Sequence, residues 1–302
     1  MAEHALKLGV DLGGTKTAVS LWTAGGEKLE SRRFQTLSGG PRPNIERIAQ
    51  LGRELLLGRQ PVSVGVSGGG VLDAERGVIL QIPNLDGWVD VPLASELRKV
   101  FCAPVGLEND ANACAIAEHR FGAGRGARHM AFLTLSTGIG GGLILDGRIH
   151  RGHRLLAGEI GHTVIVPDGP PCGCGQRGCL EALASGSAMA RRLAALRERD
   201  PSLPVDAKDV VERARRGDPF SIEFLRETAR YLAHGLANLL YILDVERFIL
   251  GTIAVAAGDL LLGPLREELS RRIWPAFRKD LQVLPAGLGM DLGDWAAFAV
   301  AP

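Results

Sequence analysis

The chain of 302 residues has little excess charge and no long uninterrupted apolar segment. Its 35 basic and 34 acidic residues are interspersed and give a formal net charge of +1, so the charge pattern indicates no nucleic-acid or anionic-membrane partner. The most apolar segment, Phe248 to Leu262, is interrupted by Gly251, Gly258 and Asp259 and is too short and broken to span a bilayer. The N-terminus lacks the basic region and apolar stretch of a signal peptide. We therefore expect a cytoplasmic enzyme or binding protein.

Lysine and cysteine are scarce, which makes the few that are present informative. Most of the basic residues are arginine, so Lys16, inside a glycine turn, stands out. Two of the five cysteines, Cys102 and Cys114, lie in apolar runs and are expected to be small core residues. The other three lie together in one short, glycine-rich segment.

That segment predicts a metal site. His162 is followed by Cys172, Cys174 and Cys179 with the spacing His-x9-Cys-x-Cys-x4-Cys, which is a complete tetrahedral ligand set for zinc. Four protein ligands leave no open position, so the ion would shape a loop and would not activate water. Three unrelated thiols or a disulfide are the alternatives, but cysteines one residue apart are poorly placed to bridge each other.

A first glycine turn lies near the N-terminus. The turn Asp-Leu-Gly-Gly-Thr-Lys, Asp11 to Lys16, joins two apolar segments that read as the strands of a hairpin. Free N–H groups in such a turn can point at phosphate oxygens, Thr15 and Lys16 add donors, and Asp11 is placed to hold hydrated magnesium. The spacing is not that of a Walker A loop. An ordinary hairpin turn is the alternative.

A second glycine turn repeats this arrangement. The segments Met130 to Ser136 and Gly141 to Leu145 flank the turn from Thr137 to Gly142. A glycine and arginine loop, Gly122 to Gly126, precedes them and is typical of a boundary between two halves. The repetition predicts two phosphate-facing turns across a cleft.

Two further segments place polar groups at predicted strand ends. Asp110 follows the strand at Val105 to Leu107 and opens an alanine-rich helix. It is suited to cap that helix or to accept a proton from an alcohol, and the residues alone leave both interpretations open. The glycines from Gly68 to Gly70 leave backbone amides bare for a small polar ligand, or they are simply flexible.

Taken together, five motifs resemble the ROK family of sugar kinases, of the glucokinase type. The motifs stand at 11–16, 108–112, 136–142, 157–162 (Ala-Gly-Glu-Ile-Gly-His) and 172–181 (Cys-Gly-Cys-Gly-Gln-Arg-Gly-Cys-Leu-Glu). The resemblance implies an α/β fold of the actin-like ATPase, ribonuclease H-like type, with two domains and an interdomain cleft. The domains would be a small α/β domain at 1–118, completed by a C-terminal helix at 290–302, and a larger one at 119–289 with the zinc-binding loop.

The resemblance also implies a reaction and its residues. An ATP-dependent hexose kinase would transfer the γ-phosphate of MgATP to the 6-hydroxyl of a hexose, above all glucose, with Asp110 as general base. Residues implied in sugar binding are Gly69, Gly70, Asn84, Asn109, Asp110, Glu159, His162 and Glu181. Residues implied in ATP binding are Asp11, Gly13, Gly14, Thr15, Lys16, Thr137, Gly138 and Gly251. The implied cofactors are ATP, Mg²⁺ and structural Zn²⁺, and the implied assembly is a homodimer or homotetramer.

The chain departs from the family pattern near both ligands. Thr252 and Ile253 replace glycines where family members hold adenosine, and β-branched side chains there permit fewer backbone conformations. Gly69-Gly70 replaces a common Pro-Gly, and Arg154-Leu155 replaces a pair of small residues, both near the expected sugar pocket.

Other functions are compatible with the same motifs. An N-acetylmannosamine or N-acetylglucosamine kinase shares them, and the altered adenosine turn raises the possibility of a catalytically silent sugar-binding protein. A repressor of this family is disfavoured, because the phosphate hairpin begins almost at the start of the chain and leaves no room for a DNA-binding domain.

Overall fold

The computed structural model describes residues 5–83 and 85–302, and they form two compact units. The N-terminal unit comprises the described residues up to Phe121, together with Arg151–Ala157 and Met290–Pro302. The central unit comprises Gly122–His150 and Gly158–Gly289. The domain limits expected from the sequence, 1–118 with 290–302 and 119–289, stay a prediction.

The N-terminal unit is built on a five-stranded sheet in the order β3-β2-β1-β4-β8. Its strands are β1 (Leu6–Leu12), β2 (Lys16–Thr23), β3 (Lys28–Gln35), β4 (Pro61–Gly68) and β8 (Val105–Asn109). β1 is antiparallel to β2 and parallel to β4, and β4 is parallel to β8. The central strands are apolar and buried along most of their length, as expected for strands covered on both faces, whereas the edge strand β3 is mostly polar and exposed.

Helices and a second, smaller sheet complete this unit. The helices are α1 (Pro41–Leu56), α2 (Leu93–Phe101), α3 (Asp110–Phe121) and α11 (Leu292–Ala299), and the small sheet contains β5 (Val71–Asp73), β6 (Val78–Gln81) and β7 (Val89–Val91). The C-terminal helix α11 packs on β1, β4 and α3. The N-terminal unit therefore contains the last residues of the chain as well as the first.

The central unit repeats the same sheet topology. Its order is β11-β10-β9-β12-β13, with an antiparallel meander of three strands followed by two parallel additions. The strands are β9 (Met130–Leu133), β10 (Gly141–Leu145), β11 (Arg148–His150), β12 (Arg247–Leu250) and β13 (Gln282–Pro285). Both predicted glycine hairpins are confirmed, since β1 with β2 and β9 with β10 are antiparallel neighbours joined by those turns.

Seven helices of the central unit enclose its core. They are α4 (Leu180–Ala184), α5 (Gly186–Arg197), α6 (Ala207–Arg215), α7 (Pro219–Leu243), α8 (Ile253–Ala257), α9 (Asp259–Arg272) and α10 (Pro275–Arg278). The long α7 begins at Pro219, and the side chain of Asp218 accepts the N–H of Ser221 as an N-cap. Gly258 has a φ of 56° and separates α8 from α9. None of the described helices is both long and apolar enough to cross a bilayer.

Of the two cysteines outside the metal cluster, Cys102 does not lie in the core as predicted. Cys114 is half-buried in α3, but Cys102 is exposed. Cys102 ends α2 in the left-handed conformation, with a φ of 50°, and this reversal places it on the surface. The prediction of a core position was therefore wrong for Cys102, because an apolar sequence neighbourhood does not reveal where a helix ends.

Candidate functional site

The first glycine turn is held in shape from β3. The N–H of Gly13 donates to the carbonyl of Lys16 over 3.1 Å, so this amide is not free, contrary to expectation. Thr36, just after β3, donates its hydroxyl to the carbonyl of Gly13 (2.7 Å) and its N–H to that of Thr15 (2.9 Å). Gly14, Thr15 and Lys16 are exposed. The amides of Gly14 and Thr15, which make no hydrogen bond within the described residues, and the Lys16 ammonium are thus available to an anion.

Asp11 lies near two other carboxylates, those of Asp110 and Asp294. The pKa of its carboxyl is raised to about 6, first by burial and then by the carboxylates of Asp110 and Asp294, against the weaker opposing effect of Arg33. The carboxylate also touches α11, since a Cβ added to Gly293 would lie 2.6 Å from Asp11 Oδ2. A crowded acidic group with oxygen donors fits a hydrated divalent cation, which would relieve the repulsion.

Asp110 is the first residue of α3 and is exposed. The helix cap is its neighbour: the Asn109 side-chain oxygen accepts the N–H groups of Ala111 (3.0 Å) and Asn112 (3.2 Å). The interpretation of Asp110 as the N-cap was therefore wrong. Its own Oδ1 accepts the N–H of Ala111 over 2.8 Å, which orients an accessible carboxylate at the end of β8.

Asn109 also ties α3 to the glycine run after β4. Its amide nitrogen donates to the carbonyl of Gly70 over 3.1 Å. Gly70 has a φ of +87°, and a Cβ there would lie 2.2 Å from the carbonyl of Gln81, so only glycine fits. Gly69 is close to Asp110, with its Cβ position 3.7 Å from Asp110 Oδ2. The structure thus brings Gly69, Gly70, Asn109 and Asp110 together, and this run is not merely flexible. Asn84 lies outside the described residues.

A buried ion pair between Glu108 and Arg151 stabilises the start of α3. Glu108, 4% exposed, accepts the Arg151 guanidinium at Oε2 through two nitrogens, at 2.9 and 2.6 Å. Its Oε1 accepts the N–H of Asn109 (3.1 Å) and the side chain of Asn112 (3.2 Å). Arg151 was not predicted, because it comes from the distant segment Arg151–Ala157, and no local pattern assigns its partner.

The second glycine turn belongs to the central unit. Its backbone closes on itself, with the N–H of Ser136 donating to the carbonyl of Gly138 over 3.0 Å and that of Thr134 to Gly140 over 3.0 Å. Thr137 is exposed and Gly138 half-buried. The N–H of Ile139 donates to Glu181 Oε2 over 2.9 Å. Glu181 therefore touches the predicted phosphate turn, a contact that the sequence did not indicate.

The four predicted metal ligands converge. One donor atom from each of His162, Cys172, Cys174 and Cys179 lies within 4.8 Å of all the others. Cys172 Sγ is 3.5 Å from His162 Nδ1, and Cys174 Sγ is 3.7 Å from Cys179 Sγ. A regular tetrahedron with zinc–sulfur bonds of about 2.3 Å and a zinc–nitrogen bond of about 2.0 Å requires edges of roughly 3.5 and 3.8 Å. These two distances match the required edges, and the remaining donor pairs lie within 4.8 Å.

The protonation of this cluster also fits a cation. The pKa of the Cys179 thiol is raised to about 12, first by burial and then by hydrogen bonding to Cys174 and Cys172, so a nearby cation would be required to keep it as a thiolate. The other ring nitrogen of His162, Nε2, lies 3.8 Å from Glu159 Oε2. Glu159 is exposed. With Nδ1 facing the cluster, Nε2 and Glu159 are free to meet a polar ligand.

The turn after β12, where the family resemblance implies adenosine binding, is strained. Thr252, the residue before α8, has φ 44° and ψ −97°, a combination unusual for any residue other than glycine. The preceding Gly251 is buried, and its N–H donates to the carbonyl of Leu133 over 2.9 Å. The N–H of Ile253 donates to that of Leu135 over 2.9 Å. These bonds hold Thr252 in a backbone conformation suited to glycine.

Asp294 was also missed by the sequence analysis. It is 3% exposed and is paired with Lys28 Nζ at 3.1 Å. A single carboxylate in the otherwise apolar helix α11 was the signal that could have identified it, since buried acids are rare unless paired.

Comparisons with known proteins cover most of the chain. The ROK family profile matches residues 7–302. The chain is 38% identical over 304 residues to a glucokinase from Thermotoga maritima, covering 97% of this chain and 96% of that protein. It is 34% identical to an N-acetylmannosamine kinase from Haemophilus influenzae, covering 84% and 83%. A solved ROK glucokinase from Streptomyces griseus, in complex with glucose and AMPPNP, has a TM-score of 0.84 and 35% identity and covers 98% of this chain and 99% of that one.

Proposed function

Because this chain belongs to the ROK family, we propose that it is an ATP-dependent hexose kinase that transfers the γ-phosphate of MgATP to the 6-hydroxyl of glucose. The observation that carries this proposal is the similarity, over nearly the full length, to proteins named as glucokinases, one of them solved with glucose and an ATP analogue. The actin-like ATPase fold of the ROK kinases agrees with the repeated sheet topology of the two units.

Asp110 is the proposed general base. Its carboxylate is exposed at the end of β8, and Asn109 is the N-cap of α3. A carboxylate within hydrogen-bond reach of the sugar's primary hydroxyl would accept its proton as the oxygen attacks the γ-phosphorus. The buried Glu108–Arg151 pair would keep the preceding backbone in place.

The proposed phosphate groups are backbone amides and one ammonium. Phosphoryl transfer depends mainly on positioning and on neutralising charge. In the first turn, the free amides of Gly14 and Thr15 and the Lys16 ammonium would bind phosphate, and Gly13 would shape the turn. In the second turn, Thr137 and Gly138 would bind phosphate. Asp11 would hold hydrated Mg²⁺, which when bound supplies positive charge to the nucleotide phosphates. Gly251 would pack against adenosine.

The proposed sugar-binding groups are backbone and side-chain polar groups. They are the backbone of Gly69 and Gly70 and the side chains of Asn84, Asn109, Asp110, Glu159, His162 and Glu181. Asn109 retains one N–H for this purpose, because its oxygen and its other N–H are engaged within the protein. His162 would donate from Nε2 while Nδ1 faces the metal, so that the ion fixes the orientation of a sugar ligand.

We assign the cluster of His162, Cys172, Cys174 and Cys179 to a structural zinc ion. The donor spacing supports this assignment. With all four positions taken, the ion contributes folding energy to the loop and no reactive water.

A coupled assay for ADP release tests the function. Glucose, mannose, fructose, N-acetylglucosamine and N-acetylmannosamine are compared with MgATP, using wild type, Asp110→Asn and the matched control Asp90→Asn. Asp90 is exposed and has a φ of 52°, which asparagine adopts easily. We expect turnover on glucose, a loss of at least about 100-fold in Asp110→Asn and none in the control. Sugar binding without turnover in wild type would indicate a silent sugar-binding protein.

An N-acetylmannosamine kinase is the second candidate. The 34% identity to such an enzyme favours it, and the Gly69-Gly70 sequence changes the loop near the expected sugar. Higher kcat/KM for N-acetylmannosamine than for glucose in the same assay would assign this activity. We also propose a cytoplasmic homodimer or homotetramer, which light scattering of the purified protein tests.

A further inference from the structure

The second glycine turn is held by the segment that follows the last zinc ligand. Immediately after Cys179, α4 carries Glu181, whose Oε2 accepts the N–H of Ile139 over 2.9 Å. At the next corner, the N–H of Gly186 donates to Ser136 (2.7 Å) and the N–H of Ser187 to Thr137 (3.2 Å). Three of the turn's backbone groups are thus fixed by one segment of chain.

The segment that carries His162 contacts the same turn. Gly161 lies directly against it, since a Cβ there would be 2.2 Å from the carbonyl of Ile139. The 3-10 helix Ile160–His162 therefore contacts the carbonyl of Ile139, whereas Glu181 accepts the N–H of the same residue. Both segments that enter the metal cluster therefore contact a single residue of the turn, Ile139.

The charge of Glu181 argues that its contribution is geometric. A Cβ added to Gly138 would lie 2.5 Å from Glu181 Oε2, so the carboxylate is in contact with the turn. A negative charge at this distance would repel a phosphate bound to the turn. A favourable role toward a bound nucleotide must therefore come from holding the Ile139 amide, whose N–H donates to Oε2.

We propose that Glu181 is a positioning residue for the turn Ser136–Gly142, and that it links the order of this turn to the zinc loop. Nucleotide affinity would then depend on the metal cluster as well as on the residues that touch phosphate. The nucleotide part of this inference rests on the function proposed above.

The test uses two substitutions of one residue. Glu181→Gln keeps an oxygen acceptor for Ile139 and removes the charge, whereas Glu181→Ala removes the acceptor. Glu198→Ala, at the exposed end of α5, is the matched control. Zinc content, hydrogen–deuterium exchange of residues 134–142 and the Kd of AMPPNP without sugar are measured for each protein.

We expect all variants to retain zinc, because Glu181 is not a ligand. In Glu181→Ala, exchange at the turn should rise and AMPPNP should bind about tenfold or more weakly, as expected for loss of a charged hydrogen bond. Glu181→Gln should stay within about threefold of wild type. Equal damage by both substitutions, or an unchanged turn in Glu181→Ala, would overturn the proposal.

Two further arms separate this inference from the proposed function. If wild type does not bind AMPPNP, the kinase proposal fails, while the exchange data still decide the role of Glu181. Weaker sugar binding with unchanged exchange and unchanged AMPPNP affinity would make Glu181 a sugar contact only and would overturn the inference. Removing zinc with a chelator should raise exchange in the same segment, and no rise would break the link to the zinc loop.

Discussion

Replacing Asp11 by asparagine should stabilise the folded protein while removing its activity. The carboxyl pKa is raised from its ordinary value of 3.8 to about 6, first by burial and then by Asp110 and Asp294. Because one pH unit corresponds to about 1.4 kcal/mol, the ionised carboxylate costs the folded state about 3 kcal/mol at most at pH 7. Asparagine has nearly the same shape and carries no charge, so the variant should regain much of this energy.

The stabilisation by Asp11→Asn should depend on pH, because the pKa of the Asp11 carboxyl is raised in the folded state. Below about pH 4 the carboxyl is protonated in both the folded and unfolded states, and it imposes no cost. As the pH rises from 4 to 6, only the unfolded state releases the proton readily, so wild type loses stability, and above pH 6 the loss is constant. The gain from Asp11→Asn should therefore be large at pH 8 and absent at pH 4.

Urea unfolding without nucleotide or added magnesium measures this effect. Three of the four tryptophans, Trp22, Trp88 and Trp295, belong to the N-terminal unit with Asp11, so their fluorescence reports on the relevant unit. Asp294→Asn is the contrasting variant, since it breaks a buried ion pair with Lys28 and should destabilise. An Asp11→Asn protein that is less stable than wild type at pH 8, or equally improved at pH 4, would refute the electrostatic argument.

Three other predictions follow from local geometry. His162→Ala should lose zinc, measured by elemental analysis, together with sugar affinity; retained zinc and unchanged affinity would contradict the proposed double role. Gly293→Ala should lower kcat about tenfold or more, because the new methyl group displaces the Asp11 carboxylate. It should not lower the free energy of unfolding, since alanine is better than glycine in a helix by about 1 kcal/mol. The control Gly263→Ala, whose Cβ would have no atom within 4 Å, should keep full activity. Thr252→Gly should raise the free energy of unfolding by about 1 kcal/mol by relieving an unfavourable backbone conformation, whereas Thr252→Ala, which keeps a Cβ, should not.

Local patterns were sufficient to predict the hairpins and the cluster of His162 with three cysteines. The strands flanking both glycine turns could be predicted because apolar runs interrupted by glycine are a local signal. The zinc ligands could be predicted because their spacing is itself the chemical signature. The roles of the remaining site residues came from family resemblance, and they stay predictions.

Other features could not be read from local patterns. Asp110 was equally suited to cap a helix, and only the structure shows that Asn109 takes this role. The surface position of Cys102 depends on a single left-handed residue at the end of α2. Such outcomes depend on competition between neighbouring side chains for the same backbone groups, which composition does not resolve.

The sequence by itself determined the family and the two glycine turns and predicted the set of four metal ligands, because each is carried by residues close together along the chain. The tertiary structure decided which distant groups meet: Arg151 with Glu108, Gly293 with Asp11, and Glu181 with Ile139. These pairs are 43, 282 and 42 positions apart in the numbering of the chain. Charge and close packing act through space, so the pKa of Asp11 and the order of the second glycine turn are properties of the fold and of no single segment.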